Sequence, residues 1–151
     1  MPDPTIETGP DKRRDFAVFR QIPTRWMDND AYGHVNNVIY YSWFDTAVNA
    51  LLVDMGLLDI RHGRTIGLVV ETGCRYHRSV AFPEIVEAGV RIARLGTSSV
   101  RWEVGIFTAG DDLLAAQGFF VHVYVDRDSR RPAPLPDEWR QQLAPLVLPA
   151  I

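Results

Sequence analysis

Hydrophobic and polar positions alternate with different periods in different parts of this chain. Phe16 to Arg25 predicts a first strand, closed by the polar loop Asp28 to Gly33. From about Asn36 to Met55 the period becomes helical, and Gly56 follows as a suitable residue just past the helix end. Ser42, Asp45, Thr46 and Asn49 stand at i, i+3, i+4 and i+7 and form one narrow polar stripe. Val38, Ile39, Tyr40, Tyr41, Trp43, Phe44, Ala47, Val48, Leu51 and Leu52 fill the rest. A helix apolar around most of its circumference is expected to be buried, so a sheet should wrap it.

After a loop over Leu57 to Arg64 the period falls to two. Val70, Thr72, Cys74 and Tyr76 alternate with Glu71, Gly73, Arg75 and His77. Val86, Ala88, Val90 and Ile92 alternate with Glu87, Gly89 and Arg91, and Val100, Trp102, Val104 and Ile106 with Ser99, Arg101, Glu103 and Gly105. Leu113 to Val125 is apolar on both faces over much of its length, which predicts an interior strand. The breaks are short: Ala81-Phe82-Pro83, Leu95-Gly96-Thr97-Ser98, and the turn-like Ala109-Gly110-Asp111-Asp112. The expected order is strand, buried helix, then four consecutive antiparallel strands. The expected organisation is a flexible tail over residues 1–14, one domain over 15–128, and a proline-rich C-terminal tail with a short helix over 129–151.

Composition narrows the class. The chain has 151 residues and a net charge of −3, which suits one core and offers no bulk attraction to nucleic acid. Cys74 is the one cysteine, so no internal disulfide can form, which fits a cytoplasmic location. The first residues carry no apolar core of a signal peptide, and no apolar run reaches bilayer length, so no membrane partner is expected.

Asp28, Asp30, Gly33, His34, Asn36 and Asn37 crowd into the loop ahead of the helix. A helix N-terminus carries unpaired N–H groups and partial positive charge, which suits an oxyanion. Asp30 there is either a turn or cap residue or a carboxylate that attacks a carbonyl or activates water. His34 is a packing residue or an assistant to the same chemistry. Asn36 and Asn37 suit capping, and amides near Val35, Asn36 and Asn37 suit oxyanion binding. Asp28 reads as an orderer of the loop.

The motif Asp28-x-Asp30-x-x-Gly33-His34-Val35-Asn36-Asn37-x-x-Tyr40 resembles the start of the hot-dog acyl-CoA thioesterases, most closely the group similar to 4-hydroxybenzoyl-CoA thioesterase. The resemblance continues through Trp43-Phe44-Asp45, Glu71 with Tyr76, and Gly96-Thr97-Ser98-Ser99. It implies an α+β hot-dog fold, a long central helix wrapped by a curved antiparallel sheet of about five strands. It also implies hydrolysis of an acyl-CoA thioester in a homodimer or tetramer, with active sites between subunits. It makes Asp30 the catalytic carboxylate and places Glu71 and Gly73 near the partner's site. Asp45 is the fallback acid, because some relatives carry theirs on the helix. Ser98 and Ser99 resemble family positions near the coenzyme A nucleotide, and Arg94 and Arg101 of the same strand region are candidates for its phosphates, since arginine pairs well with phosphate.

No metal or redox cofactor is called for: the four histidines show no metal-ligand spacing, and phosphate-loop, Rossmann and serine-elbow motifs are absent. Cys74 is expected to be an inert packed thiol. Two other functions are compatible with the same fold, hydration of an enoyl thioester and non-catalytic acyl-CoA binding.

Overall fold

The computed structural model describes residues 11–148. The elements are β1 (Val18–Pro23), α1 (Asn37–Asp54), β2 (Thr65–Tyr76), β3 (Ile85–Leu95), β4 (Ser99–Thr108), β5 (Ala116–Asp126) and α2 (Asp137–Leu143). The strands form one antiparallel sheet in the order β1-β3-β4-β5-β2. This is the α+β hot-dog architecture that the motif implied, with β4 at the centre and β5 also interior.

The alternating positions of β3 and β4 decide which way the sheet curves. Val86, Ala88, Val90 and Ile92, with Val100, Trp102, Val104 and Ile106, are all buried and form the floor on which α1 rests. From above, α1 contributes Tyr40, Trp43, Phe44, Ala47, Val48 and Leu52. Phe44 reaches deepest: a Cβ at Gly118 would lie 2.1 Å from its ring, so only glycine lets β5 approach the helix there.

The sheet wraps α1 as expected, and the stripe residues Ser42, Asp45 and Thr46 are exposed on its open side, as is Val38. The helix lies in the concave face with one side open, because five strands curve under it without meeting above it. On β2 the pairing shifts between Val69 and Glu71, placing Val70 in a bulge. Thr72, Cys74 and Tyr76 therefore share the helix-facing side with Val69 and Gly67, so the simple alternation from Val70 fails at its first residue.

The ends of the domain differ from the expected boundaries. Residues 1–10 and 149–151, including Pro149, lie outside the described range. Residues 11–16, however, cross the convex face. Asp11 pairs with Arg91, Arg13 pairs with Glu87 and sits over the Phe107 ring, and Phe16 rests on Gly89 and Gly105. At the other end, α2 buries Trp139 and Leu143 in the main core, and Arg140 donates to the Gly96 and Thr97 carbonyls. The short helix is present, but it belongs to the packed domain.

Candidate active site at the start of the central helix

The loop ahead of α1 is bolted from several directions. Asp28 is buried, and its carboxylate accepts from the Arg25 backbone N–H at 2.7 Å and from the Arg25 guanidinium at 2.9 and 3.0 Å. Its role is loop construction, since both oxygens are committed to Arg25. Asn29 accepts from Phe82 N–H at 3.1 Å, and Asn29 bridges Val35 across the loop. Asp30 N–H donates to the His34 carbonyl at 2.8 Å, and Gly33, at φ 81°, supplies the left-handed turn between them.

Asp30 itself is exposed. Its Oδ1 accepts the Tyr32 N–H at 2.8 Å, a short-range turn bond. Oδ2 accepts nothing among the described residues. One oxygen thus orients the carboxylate while the other remains open to a reactant. His34 is also exposed, and no side-chain bond joins it to Asp30 among the described residues.

The amides at the helix start divide cleanly. Val35 N–H donates to the Val80 carbonyl at 2.7 Å, and Asn36 N–H to the Asp28 carbonyl at 2.9 Å. Asn36 is the N-cap, its Oδ1 accepting from Val38 N–H at 3.3 Å, and Ile39 N–H reaches the Asn36 carbonyl. Among the described residues, the amide of Asn37 alone in this run has no acceptor. Of the three positions suited to oxyanion binding, two are occupied by structural bonds and one is available. Tyr76 then pins the turn, its hydroxyl donating to the Asn37 carbonyl at 3.0 Å.

The other candidates are not gathered here. Glu71 pairs opposite Val121 and Gly73 opposite Phe119, on the sheet face away from α1. A Cβ at Gly73 would meet the Phe119 ring at 2.7 Å, which is a packing reason for glycine at that position. Arg94 stands directly opposite Arg101, also on that face, and Arg101 lies over Phe119 at 4.1 Å. Ser98 and Ser99 belong to the same far hairpin, where the Ser98 carbonyl accepts Tyr124 N–H. Arg94 lies nine positions along β3 from Ile85, which pairs with Pro23 beside the Asp30 loop. At the rise of a strand that is roughly 30 Å. Asp45 lies on the open flank of α1, held by Asn49 Nδ2 at 2.9 Å.

Sequence reasoning missed the rim. Trp26, Met27, Tyr32 and Val38 surround the loop, and Trp26 and Tyr32 are 80% and 87% exposed. Apolar side chains clustered on a surface mark a ligand or partner contact. An adjacent Trp-Met pair inside an otherwise polar loop was the available signal. Cys74 is half-buried, and burial pushes its thiol up to about 11, so it stays protonated and unreactive at neutral pH.

Residues 24–143 match the thioesterase-like superfamily model, and the chain belongs to that superfamily of thioester hydrolases. The PA5185 protein of Pseudomonas aeruginosa is 52% identical, with 90% of this chain and 95% of that one covered and a TM-score of 0.87. The PA2801 protein of the same organism is 31% identical, covering 82% and 95%, with a TM-score of 0.77. The fold is also shared with a 1,4-dihydroxy-2-naphthoyl-CoA thioesterase from Synechocystis, 18% identical over 83% and 94%, TM-score 0.75. Among the described residues no helix is long and apolar enough to cross a membrane.

Proposed function

We propose that this protein hydrolyses an acyl-CoA thioester to the free acid and coenzyme A, with Asp30 as its catalytic carboxylate. The observation that carries this reading is the unclaimed Asn37 N–H at the start of α1, a few residues from a carboxylate with one open oxygen. That amide polarises the thioester carbonyl and binds the oxyanion, with the helix dipole behind it. Asp30 Oδ2 attacks the carbonyl, expelling the coenzyme A thiolate and leaving a mixed anhydride that water then hydrolyses to the free acid, or it deprotonates the water that attacks the carbonyl directly. The thiolate of coenzyme A leaves readily, so His34 has the smaller task of hydrogen-bonding it.

We also place the working site between two copies. β2 is a twelve-residue edge strand with Leu68, Val69 and Val70 exposed, and an unprotected edge of that length seeks a partner strand. Antiparallel pairing of two β2 edges runs the second sheet in the opposite direction. The second copy's far hairpin, with Arg94, Ser98, Ser99 and Arg101, then comes toward the Asp30 loop of the first. This supports the nucleotide-binding assignment for a partner's arginines, which cannot serve the site of their own subunit.

The test is a panel of acyl-CoAs with a thiol-detecting reagent. Thiol release is expected for at least one member, and Asp30→Asn is expected to lower its kcat by about a hundredfold or more. His34→Ala should lose much less. Wild-type turnover in Asp30→Asn would remove Asp30 from the mechanism. Loss of an enoyl chromophore without thiol release would replace hydrolysis with hydration.

A further inference from the structure

The end of β2 and its connection to β3 touch the candidate site at three points. Phe82 N–H donates to Asn29 Oδ1 at 3.1 Å, just ahead of Asp30. The Val80 carbonyl accepts Val35 N–H at 2.7 Å, just before the helix. Tyr76, the last residue of β2, donates its hydroxyl to the carbonyl of Asn37, the first residue of α1, at 3.0 Å. The first two ties use backbone groups of the connection and do not depend on which side chains stand at positions 80 and 82. The third depends on one phenol, and no step of the proposed chemistry uses it.

Although β2 is an edge strand, the phenol is firmly seated. Tyr76 pairs opposite Ala116 of β5, and the next amide, His77 N–H, donates to the Ala115 carbonyl at 2.8 Å. Its ring meets Tyr40 edge to face with centroids 5.0 Å apart, and Tyr40 packs on Trp43 at 4.8 Å. Tyr40 and Trp43 are both buried in the main core. A tyrosine hydroxyl, with an ordinary pKa of about 10, is protonated at neutral pH, and a carbonyl can only accept. The direction of the bond is therefore fixed.

What the phenol holds is otherwise lightly held. The first amides of a helix have no intrahelical acceptors, and helix ends fray. The N-cap bond from Val38 N–H to Asn36 Oδ1 is 3.3 Å, longer than an ordinary N–H···O bond. Asn37 and Val38 are exposed, so packing adds little. Yet the peptide plane between Asn36 and Asn37 carries the unclaimed N–H. Asn36 N–H donates to the Asp28 carbonyl at 2.9 Å on one side of that plane, and Tyr76 fixes the Asn37 carbonyl on the other. An oxyanion donor helps only when it is held in place beforehand, and a misplacement of about 1 Å costs up to a hundredfold in rate.

We propose that Tyr76 is a positioning residue for the hydrolysis: its hydroxyl anchors the first turn of α1 to the sheet, so that Asn37 N–H stays aimed at the thioester oxygen. Tyr76 acts through Asn37 and gives nothing to the substrate directly. The oxyanion carries more charge than the ground-state carbonyl, so lost aim raises the barrier and largely spares substrate binding. The role rests on the thioester site proposed above, but the tether has a readout of its own.

The test is Tyr76→Phe in the whole protein, which keeps the ring and removes only the hydroxyl. On an acyl-CoA that the wild type hydrolyses, kcat is expected to fall about tenfold with KM within about twofold of wild type. Hydrogen exchange of the peptide spanning Val35 to Phe44, followed by mass spectrometry, should quicken about fivefold at the first-turn amides, as one lost hydrogen bond shifts a local opening. Tyr76→Leu removes the ring as well. It should lower the melting temperature further than Tyr76→Phe while leaving kcat near the same reduced value. A hydroxyl that matters only for stability predicts the reverse, with kcat following the melting temperature across the two variants. That pattern, a rise in KM without a fall in kcat, or unchanged exchange overturns the inference. Hydrolysis at full rate in Tyr76→Phe removes the positioning role and leaves the thioesterase. Faster exchange in Tyr76→Phe of a protein that hydrolyses no acyl-CoA removes the thioesterase and the positioning role with it, and leaves the tether as a structural bond.

Discussion

At the scale of single residues, the same side-chain type stands in opposite surroundings two positions apart. Asp28 and Asp30 are equally acidic in the sequence, but Asp28 is buried with both oxygens on Arg25, and Asp30 is exposed with one oxygen unspent. The motif made Asp30 rather than Asp28 the proposed reactant. The geometry is compatible with that proposal, because a carboxylate whose acceptor capacity is filled by its own loop is poorly placed to attack anything else. The amides show the same logic, because Val35 and Asn36 looked as suitable as Asn37 until their carbonyl partners were seen. Cys74 gives a direct check at this scale. With its thiol held up to about 11, alkylation by iodoacetamide at pH 8 should run about a hundredfold slower than for an unperturbed cysteine, rising steeply only toward pH 11. Rapid labelling of the folded protein would show that the side chain is more open than its burial indicates.

At the scale of elements, periodicity was a sound guide wherever one face of a strand meets the core. The inward sets of β3 and β4 were legible because α1 covers them, and burial enforces strict alternation. On β2 the alternation misled, since an edge strand pairs on one side only and tolerates a bulge at little cost. The stripe on α1 was also legible as a stripe, but whether it faced protein or solvent was not. The contact between α1 and β5 turns on one glycine. Gly118→Ala drives a Cβ into the Phe44 ring, so a loss of about 1–3 kcal/mol in chemical denaturation is expected, with partial recovery in the double variant carrying Phe44→Leu. A stability equal to wild type would mean that the helix can lift off the sheet freely.

At the scale of the whole molecule, charge and assembly give two further expectations. Burial holds His122 below its ordinary range, with Asp45 opposing only in part. The unfolded chain then binds a proton that the folded one refuses, so stability should decline as pH falls below about 6.5 and level off under the folded value. Asp59 and Asp126 are held below the carboxylate range by backbone hydrogen bonds, so their contributions are lost only at lower pH. Thermal melts between pH 7.5 and 5 should therefore slope in wild type and flatten in His122→Phe. An equal slope in both would assign the decline to other groups. For assembly, the paired changes Leu68→Lys and Val70→Lys charge the open edge of β2. Sedimentation is expected to shift toward a single copy, with thiol release falling alongside. Full activity in a strict monomer would place the whole site within one subunit.

The linear chain by itself determined the number and order of the principal elements, the strand faces that build the core, and the loop in which acid, glycine and amides cluster. These are consequences of local spacing, because burial periods and turn chemistry act over a few residues. Tertiary structure alone decided which amide stays unpaired, which carboxylate oxygen stays open, and which end of the sheet carries Arg94 and Arg101. Each of those depends on partners far away in sequence, as the Val80 carbonyl is for the Val35 amide and Val90 is for the strand that leads into the loop. A hydrogen-bonding group is defined by what already occupies it, and only the folded chain brings its occupants together.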